Sequence, residues 1–268
     1  MKKLLMLSII LGLSTASATQ HEIKSMTEID GYVEANTLVV FDIDNTLAES
    51  SQTIGSVQWQ EYELEKAKKV GLSPAAALER SLRKFIAVSY VNTMRPVESL
   101  TPKYVEMLQN RGAKVMALTA RPAELLARTK WLLKNIGIDL GKAHPLSGRL
   151  SVVKNEEAVY NRGILAVGAT NDKGQMLQWL IGRPGFAKFS KIVFVDDKEK
   201  YVVSIEKAFS ESGLQHDSFR YAAADERVRS FNVEIADAQT DYFESTGEIV
   251  SDEEVLEEYS AAAGQSLF

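Results

Sequence analysis

Thr37-Leu38-Val39-Val40-Phe41-Asp42-Ile43-Asp44-Asn45-Thr46-Leu47 is the stretch on which the fold turns. Its first five residues form a β-favouring, largely apolar run of strand length. The run ends at Asp42 and meets Asp44-Asn45-Thr46, where turn-forming residues cluster. Two later runs end the same way. Ala113 to Leu118 leads into Thr119-Ala120-Arg121-Pro122, and Lys191 to Val195 leads into Asp196-Asp197.

Helical patterns separate these strands. Residues 57–70 and 73–93 carry helical spacing; in the second, Leu78, Leu82, Phe85, Ile86 and Tyr90 share one face. Ser73-Pro74, Thr101-Pro102 and Pro122 suit helix starts. The helix after Pro122 runs to about Asn135 and stops before Gly137. Asn171-Asp172 caps a helix over Lys173 to Ile181, and another covers Glu199 to Ser210. A short helix is expected around Glu22 to Val33, and a last strand at Phe219-Arg220-Tyr221. Residues 139–170 hold short β runs at Leu150–Val153, Ala158–Tyr160 and Ile164–Val167. Strands alternating with helices predict right-handed crossovers and a parallel sheet flanked by helices. The helices between the first of these strands and the second read as a small inserted cap, at about residues 50–98. Trp59, Tyr62, Phe85 and Tyr90 are candidates to line a pocket there, or to form its core. The acidic, Ala-rich tail from Gly247 reads as a solvated helix or frayed end.

In an open parallel sheet, ligands bind outside the carboxyl ends of the strands. Asp42, Asp44, Asp196 and Asp197 would gather there with the Thr119 hydroxyl. Carboxylates brought together without a cation repel and raise one another's pKa. A hard divalent cation relieves this, and carboxylates with water suit magnesium or calcium. Lys173 opens a helix, where the dipole disfavours a cation unless something negative lies close by. Arg121 could grip an anionic substrate with its planar fork, or form a scaffold ion pair.

Phe41-Asp42-Ile43-Asp44-Asn45-Thr46-Leu47 resembles the first motif of the haloacid dehalogenase (HAD) superfamily, Asp-x-Asp-x-Thr after an apolar strand. Thr119, Lys173 and Asp196-Asp197 follow in that superfamily's motif order. With Phe219-Arg220-Tyr221, the chain is similar to a bacterial branch described as a domain of unknown function (DUF2608). The resemblance implies a Rossmann-like, HAD-type α/β fold and magnesium-dependent hydrolysis of a phosphomonoester. Asp42 would be the nucleophile that forms an aspartyl-phosphate, and Asp44 the general acid and base. Thr119 would bind a phosphoryl oxygen, and Lys173 would pair with Asp42 and the phosphate. Mg2+ would be held by Asp42, the Asp44 carbonyl, Asp196 and Asp197. Lys154 and Lys188 are alternatives to Lys173. A second acid at Asp44 argues for phosphate chemistry over dehalogenation. A phosphotransferase, or a non-catalytic, effector-like binding protein on the same scaffold, are the other readings.

Composition sets the remaining bounds. The 268 residues are 45% hydrophobic and 25% charged, ordinary for a globular protein. The formal net charge is -5 and no basic block occurs, which argues against nucleic acid as a partner; a small phosphorylated substrate is what the resemblance implies. There are no cysteines, so disulfides, thiolate ligands and thiol nucleophiles are excluded. His21, His144 and His216 are too widely spaced for a histidine-rich zinc site. Lys2-Lys3, the apolar run Leu4 to Leu13 and Ala16-Ser17-Ala18 read as a signal peptide over residues 1–18. The expectation is export to the periplasm or beyond, no stable membrane insertion after cleavage, and one HAD-like domain over 19–268.

Overall fold

A computed structural model describes residues 20–265; the expected signal peptide lies outside them. In chain order the elements are β1 (Gln20–Ile23), β2 (Thr37–Phe41), β3 (Ala48–Ser50), α1 (Val57–Lys69), α2 (Pro74–Val91), β4 (Met94–Pro96), α3 (Thr101–Asn110), β5 (Lys114–Thr119), α4 (Leu126–Asn135), β6 (Arg149–Val153), β7 (Glu157–Asn161), β8 (Ile164–Ala166), α5 (Lys173–Ile181), β9 (Lys191–Asp196), α6 (Glu199–Phe209), β10 (Gln215–Tyr221), α7 (Asp225–Arg229), α8 (Val233–Thr246) and α9 (Asp252–Gln265). The protein is mixed α/β, with a large, mostly parallel sheet flanked by helices. Its eight strands run in the order β1-β10-β9-β2-β5-β8-β7-β6.

The side-chain period of two explains the layering. Val39, Phe41, Val115, Ala117, Val193 and Val195 face one core, completed by α3, α4 and the 3-10 turn Met26–Tyr32. Leu38, Val40, Met116, Leu118, Ile192 and Phe194 face the other, completed by α5 and α6. Every residue of β2 is buried, as expected of a strand covered on both faces. Fully burying each such aliphatic side chain stabilises by about 1.5–3 kcal/mol. That common requirement holds the register: Phe41 lies beside both Val195 and Ala117. The carboxyl ends of β2, β9 and β5 therefore finish together.

Four expectations change. The expected helix around Glu22 to Val33 gives way to strand β1 followed by the 3-10 turn. The edge of β10 supplies β1 with a parallel partner (His21 beside Phe219), a long-range pairing that local pattern does not encode. The sheet is also not wholly parallel: β7 runs antiparallel to β8, and β6 to β7. The two-residue turn at Arg162-Gly163, both at positive φ, closes a hairpin too short for a crossover. The helix after Pro122 begins only at Leu126, preceded by a 3-10 turn at Ala123–Leu125.

The fourth change concerns the end of the chain. Helices α1 and α2 pack together between β3 and β4, an antiparallel pair that forms the stem of the insertion. The chain's last helices complete this lobe. Ala236 of α8 joins Ile54, Trp59, Phe85, Val88 and Leu125 in one apolar cluster. Trp59 is core, its indole N–H donating to Thr240 Oγ1 at 2.9 Å. Tyr62 donates to Asp237, and Tyr90 is exposed. The tail is tied down as well. Asp252 accepts from the Thr53 N–H and hydroxyl, at 2.8 and 2.9 Å.

Gln239, wholly buried, is the central tie. Its Oε1 accepts from Ile54 N at 2.8 Å, and its Nε2 donates to Val250 O and Asp252 Oδ1. Gln239→Ala strands a buried Ile54 N–H. We expect a loss of about 1–3 kcal/mol in urea unfolding, since an unpaired buried donor costs that much.

Candidate active site

The β2 strand ends in Asp42, whose N–H donates to Val195 O at 2.8 Å. This continues the ladder one step and sets Asp42 against Asp196. The chain then leaves the sheet in a tight turn. Thr46 N and Ala48 N both donate to Ile43 O, at 3.2 and 2.9 Å, and Asn45 takes a positive φ of 60°. Asn and Asp tolerate that left-handed conformation better than other residues with a Cβ. The turn presents two groups to the next acidic residue. Thr46 Oγ1 accepts from Asp197 N at 3.1 Å, and Asn45 Nδ2 donates to Asp197 Oδ2 at 3.3 Å.

Lys173 arrives from the opposite layer. It is the first residue of α5, capped by Asp172, whose Oδ1 accepts from Gln175 N. Its side chain is wholly buried, and its Nζ donates to Asp42 Oδ1 at 2.5 Å and Asp196 Oδ2 at 2.7 Å. Asp196 is equally buried, and its other oxygen accepts from Lys198 N at 2.9 Å. Lys173 Nζ also lies 4.0 Å from the centre of the Tyr201 ring. The alternatives Lys154 and Lys188 are exposed and lie in loops.

Asp42, Asp196 and Asp197 each offer an oxygen within 4.8 Å of the others. Three carboxylates against one buried ammonium leave two negative charges unmatched. The consequence shows in their acidities. Burial, with repulsion from Asp196 and Asp44, pushes Asp42 up to about 7 against the attraction of Lys173. Burial and Asp42 push Asp197 up to about 7. Burial outweighs Lys173 at Asp196, pushed up to about 6. For Lys173 burial acts to lower the pKa, but Asp196 and Asp42 reverse this and hold it above the ordinary lysine value. A divalent cation matches the unpaired charge, and an all-oxygen donor set suits a hard ion such as Mg2+. The residues present therefore fit magnesium.

Asp44 stands apart from this cluster. Arg121 clasps its carboxylate bidentately, Nε to Oδ2 at 2.8 Å and Nη2 to Oδ1 at 2.7 Å. The guanidinium is nearly buried and lies 5.5 Å from the Phe85 ring centre. Arg121 thus forms an ion pair with Asp44 and also lines the cavity that Asp42 faces. Thr119 is buried, and its Oγ1 accepts from Arg121 N at 3.1 Å. Asp42, Asp44, Thr119, Arg121 and Asp197 all line one cavity of about 190 Å³, roofed by α1 and α2. Lys198 and Glu61 form an ion pair between α1 and the start of α6. Asp42, Asp44, Thr119, Arg121, Lys173, Asp196 and Asp197 meet at this edge; of the aromatic candidates, Phe85 lines the cavity and Trp59, Tyr62 and Tyr90 do not. Asn45, Thr46, Tyr201 and the Lys198–Glu61 pair were not assigned places in advance. Asn45 and Thr46 sat visibly within the first motif; the others carry no local signal.

Gly174 makes the position of Lys173 possible. A Cβ there would lie 2.3 Å from Ser204 O and 2.7 Å from Ala208 Cβ, so α5 and α6 touch backbone to backbone. Gly174→Ala should push α5 away and cost about 1–3 kcal/mol, the usual penalty of overpacking, measured by urea unfolding. A second expectation follows from the acidities. Magnesium competes with protons for these carboxylates, so binding strengthens as they lose protons. The rise in Tm on adding magnesium should be larger at pH 8 than at pH 5, and should vanish in Asp197→Asn with Asp42→Asn. An equal shift in that double variant would place the cation elsewhere.

Comparison with known proteins places this site in a family. A Chlamydia pneumoniae protein named as a candidate outer membrane protein is 24% identical over 238 residues, covering 85% of this chain and 86% of its own. A Chlamydia trachomatis protein of the same description is 22% identical over 231 residues, covering 84% and 85%. Among the described residues no helix is long and apolar enough to cross a membrane. The family profile described as protein of unknown function (DUF2608) matches residues 22–256, nearly the whole described chain, and the protein belongs to that family.

Proposed function

We propose that this chain is an exported, HAD-type phosphohydrolase that hydrolyses a phosphomonoester through an aspartyl-phosphate on Asp42, with magnesium. The observation that carries the reading is the wholly buried Lys173 ammonium shared by Asp42 and Asp196 at the carboxyl edge of the sheet, beside a cavity open to solvent. In this reading residues 19–268 form one HAD-like domain, and the helices within about 50–98 are its cap. The names of the chlamydial relatives support a site of action outside the cytoplasm.

Each residue has a definable task. An Asp42 oxygen attacks phosphorus, and the ester P–O bond breaks with its electron pair leaving on the alcohol oxygen. Asp44 delivers a proton to that oxygen, then takes one from the water that hydrolyses the aspartyl-phosphate to inorganic phosphate. For this, Arg121 must release one Asp44 oxygen. The Thr119 Oγ1 already accepts from Arg121 N, which leaves its O–H to donate to a phosphoryl oxygen. Lys173 holds Asp42 in place and offsets the charge of two anions meeting. Magnesium, held by Asp42, Asp196, Asp197 and the Asp44 carbonyl, would supply further charge neutralisation.

The expected result is phosphate release from p-nitrophenyl phosphate that EDTA abolishes and excess magnesium restores. Asp42→Asn should reduce release to background with the fold intact by circular dichroism. Asp44→Asn should lower kcat by about 10²–10⁴-fold, the usual worth of a positioned acid–base group. Full activity in Asp42→Asn, or after EDTA, would refute the mechanism.

A further inference from the structure

The roof of the cavity is built mainly from apolar side chains. Val57 and Leu64 of α1, with Leu78, Leu82 and Phe85 of α2, face the same space as Asp42, Asp44 and Thr119. Leu78, Leu82 and Phe85 follow the i, i+4, i+7 pattern of one helix face. Such stripes usually close a core. Here Leu64, Leu78 and Leu82 are only partly buried and, among the described residues, belong to none of the three packed apolar clusters. Their side chains are spent on the cavity.

The polar groups around the cavity lie mostly away from α2: Lys198, Lys200 and Tyr201 stand at the start of α6, where the Tyr201 ring is 4.0 Å from Lys173 Nζ, and Gln60 and Glu61 belong to α1. Arg121 is clasped to Asp44, and Lys198 to Glu61. Of the seven residues that α1 and α2 contribute to the lining, only Gln60 and Glu61 are polar, and those of α2 are all apolar; a sugar's hydroxyls turned toward α2 would lose water without gaining a partner, which is disfavoured. The volume matters too. About 190 Å³ is well below the roughly 300–1,000 Å³ typical of drug-sized ligands. It is close to the roughly 150 Å³ apolar cavity that admits a benzene ring. A phosphoryl group plus one ring or a short chain fills that volume, and anything larger extends through the cavity's open side.

Resting on the phosphohydrolase reading, we infer that the substrate is a monophosphate ester of a small, apolar alcohol, one ring or a short branched chain in size, rather than of a polyol or sugar. The phosphoryl group sits at Asp42 and Thr119, and the apolar body lies against Leu64, Leu78, Leu82 and Phe85. Specificity then comes from α1 and α2, and chemistry from the sheet edge.

The test compares two pairs of compounds with magnesium present. Benzyl phosphate and glycerol 1-phosphate both leave as primary alcohols, so leaving-group chemistry is nearly matched. Benzylphosphonate and 2,3-dihydroxypropylphosphonate report binding without turnover, by titration calorimetry. We expect kcat/KM for benzyl phosphate to exceed that for glycerol 1-phosphate by about 10–100-fold, the usual reach of an apolar pocket. Benzylphosphonate should bind tighter by a similar factor, and Leu82→Gln should shrink both preferences toward unity. Equal or better handling of the polyol compounds, with phosphate release intact, overturns this inference and leaves the phosphohydrolase reading standing. Absence of phosphate release from every ester, and of any acyl phosphate on Asp42, overturns both. Unchanged preferences in a folded Leu82→Gln would remove the roof from the argument, and a Leu78→Gln variant read the same way guards against a local failure at Leu82.

Discussion

A single ammonium group, that of Lys173, is placed where no water reaches it and two carboxylates do. Removing a lysine from water costs several kcal/mol, and only close, well-aligned partners offset it. Asp42 and Asp196 supply them at 2.5 and 2.7 Å. The arrangement binds three separate elements at one point: β2, β9 and the first turn of α5. It also constrains everything nearby. The lysine can reach the sheet edge only because α5 lies against α6 with Gly174 at the contact, and Asp172 keeps the first turn of α5 in register.

The lysine is not enough for the charge it faces. Asp197 joins Asp42 and Asp196, and burial and mutual repulsion outweigh one lysine, so all three carboxyls are pushed above the usual carboxylate range. A stable core would not keep such a cluster without a use for it, since apolar residues of similar volume usually serve stability as well or better. Perturbed carboxylates in a cavity are what catalytic and cation-binding sites have in common. The cluster, the Thr119 hydroxyl and the Asp44–Arg121 pair share one space, which is why a phosphoryl-transfer reading accounts for more of the observed geometry than a purely structural one.

The roof has a different origin. Helices α1 and α2 enter and leave through the β3–β4 stem, but their core is completed by α8, and their loops are tied to α9 through Gln239 and Asp252. The last helices thus brace the lobe that covers the site, though they contribute no residue to the cavity lining. Bracing from behind leaves the stripe of leucines on the inner side unfilled.

Local pattern alone determined a good part of this. The apolar runs at Leu38–Phe41, Val115–Leu118 and Ile192–Val195 are of strand length and bounded by turn-forming residues, and the polar residue that ends each one marks the carboxyl edge, where open parallel sheets commonly bind ligands. The cap of α5 was equally readable, since Asp172 is a common N-cap and a Gly follows Lys173. Pairing across the sheet was not readable. That β1 is a strand depends on β10, almost two hundred residues away, and that β6 and β7 run antiparallel depends on a short turn that forbids a crossover. That Arg121 pairs with Asp44 depends on β2 and β5 lying side by side, which only the folded chain decides. Likewise a stripe of leucines looks the same whether it closes a core or lines a cavity. Side-chain periodicity tells which residues share a face; what that face meets is decided by contacts between segments far apart in the chain, and those exist only once the chain has folded.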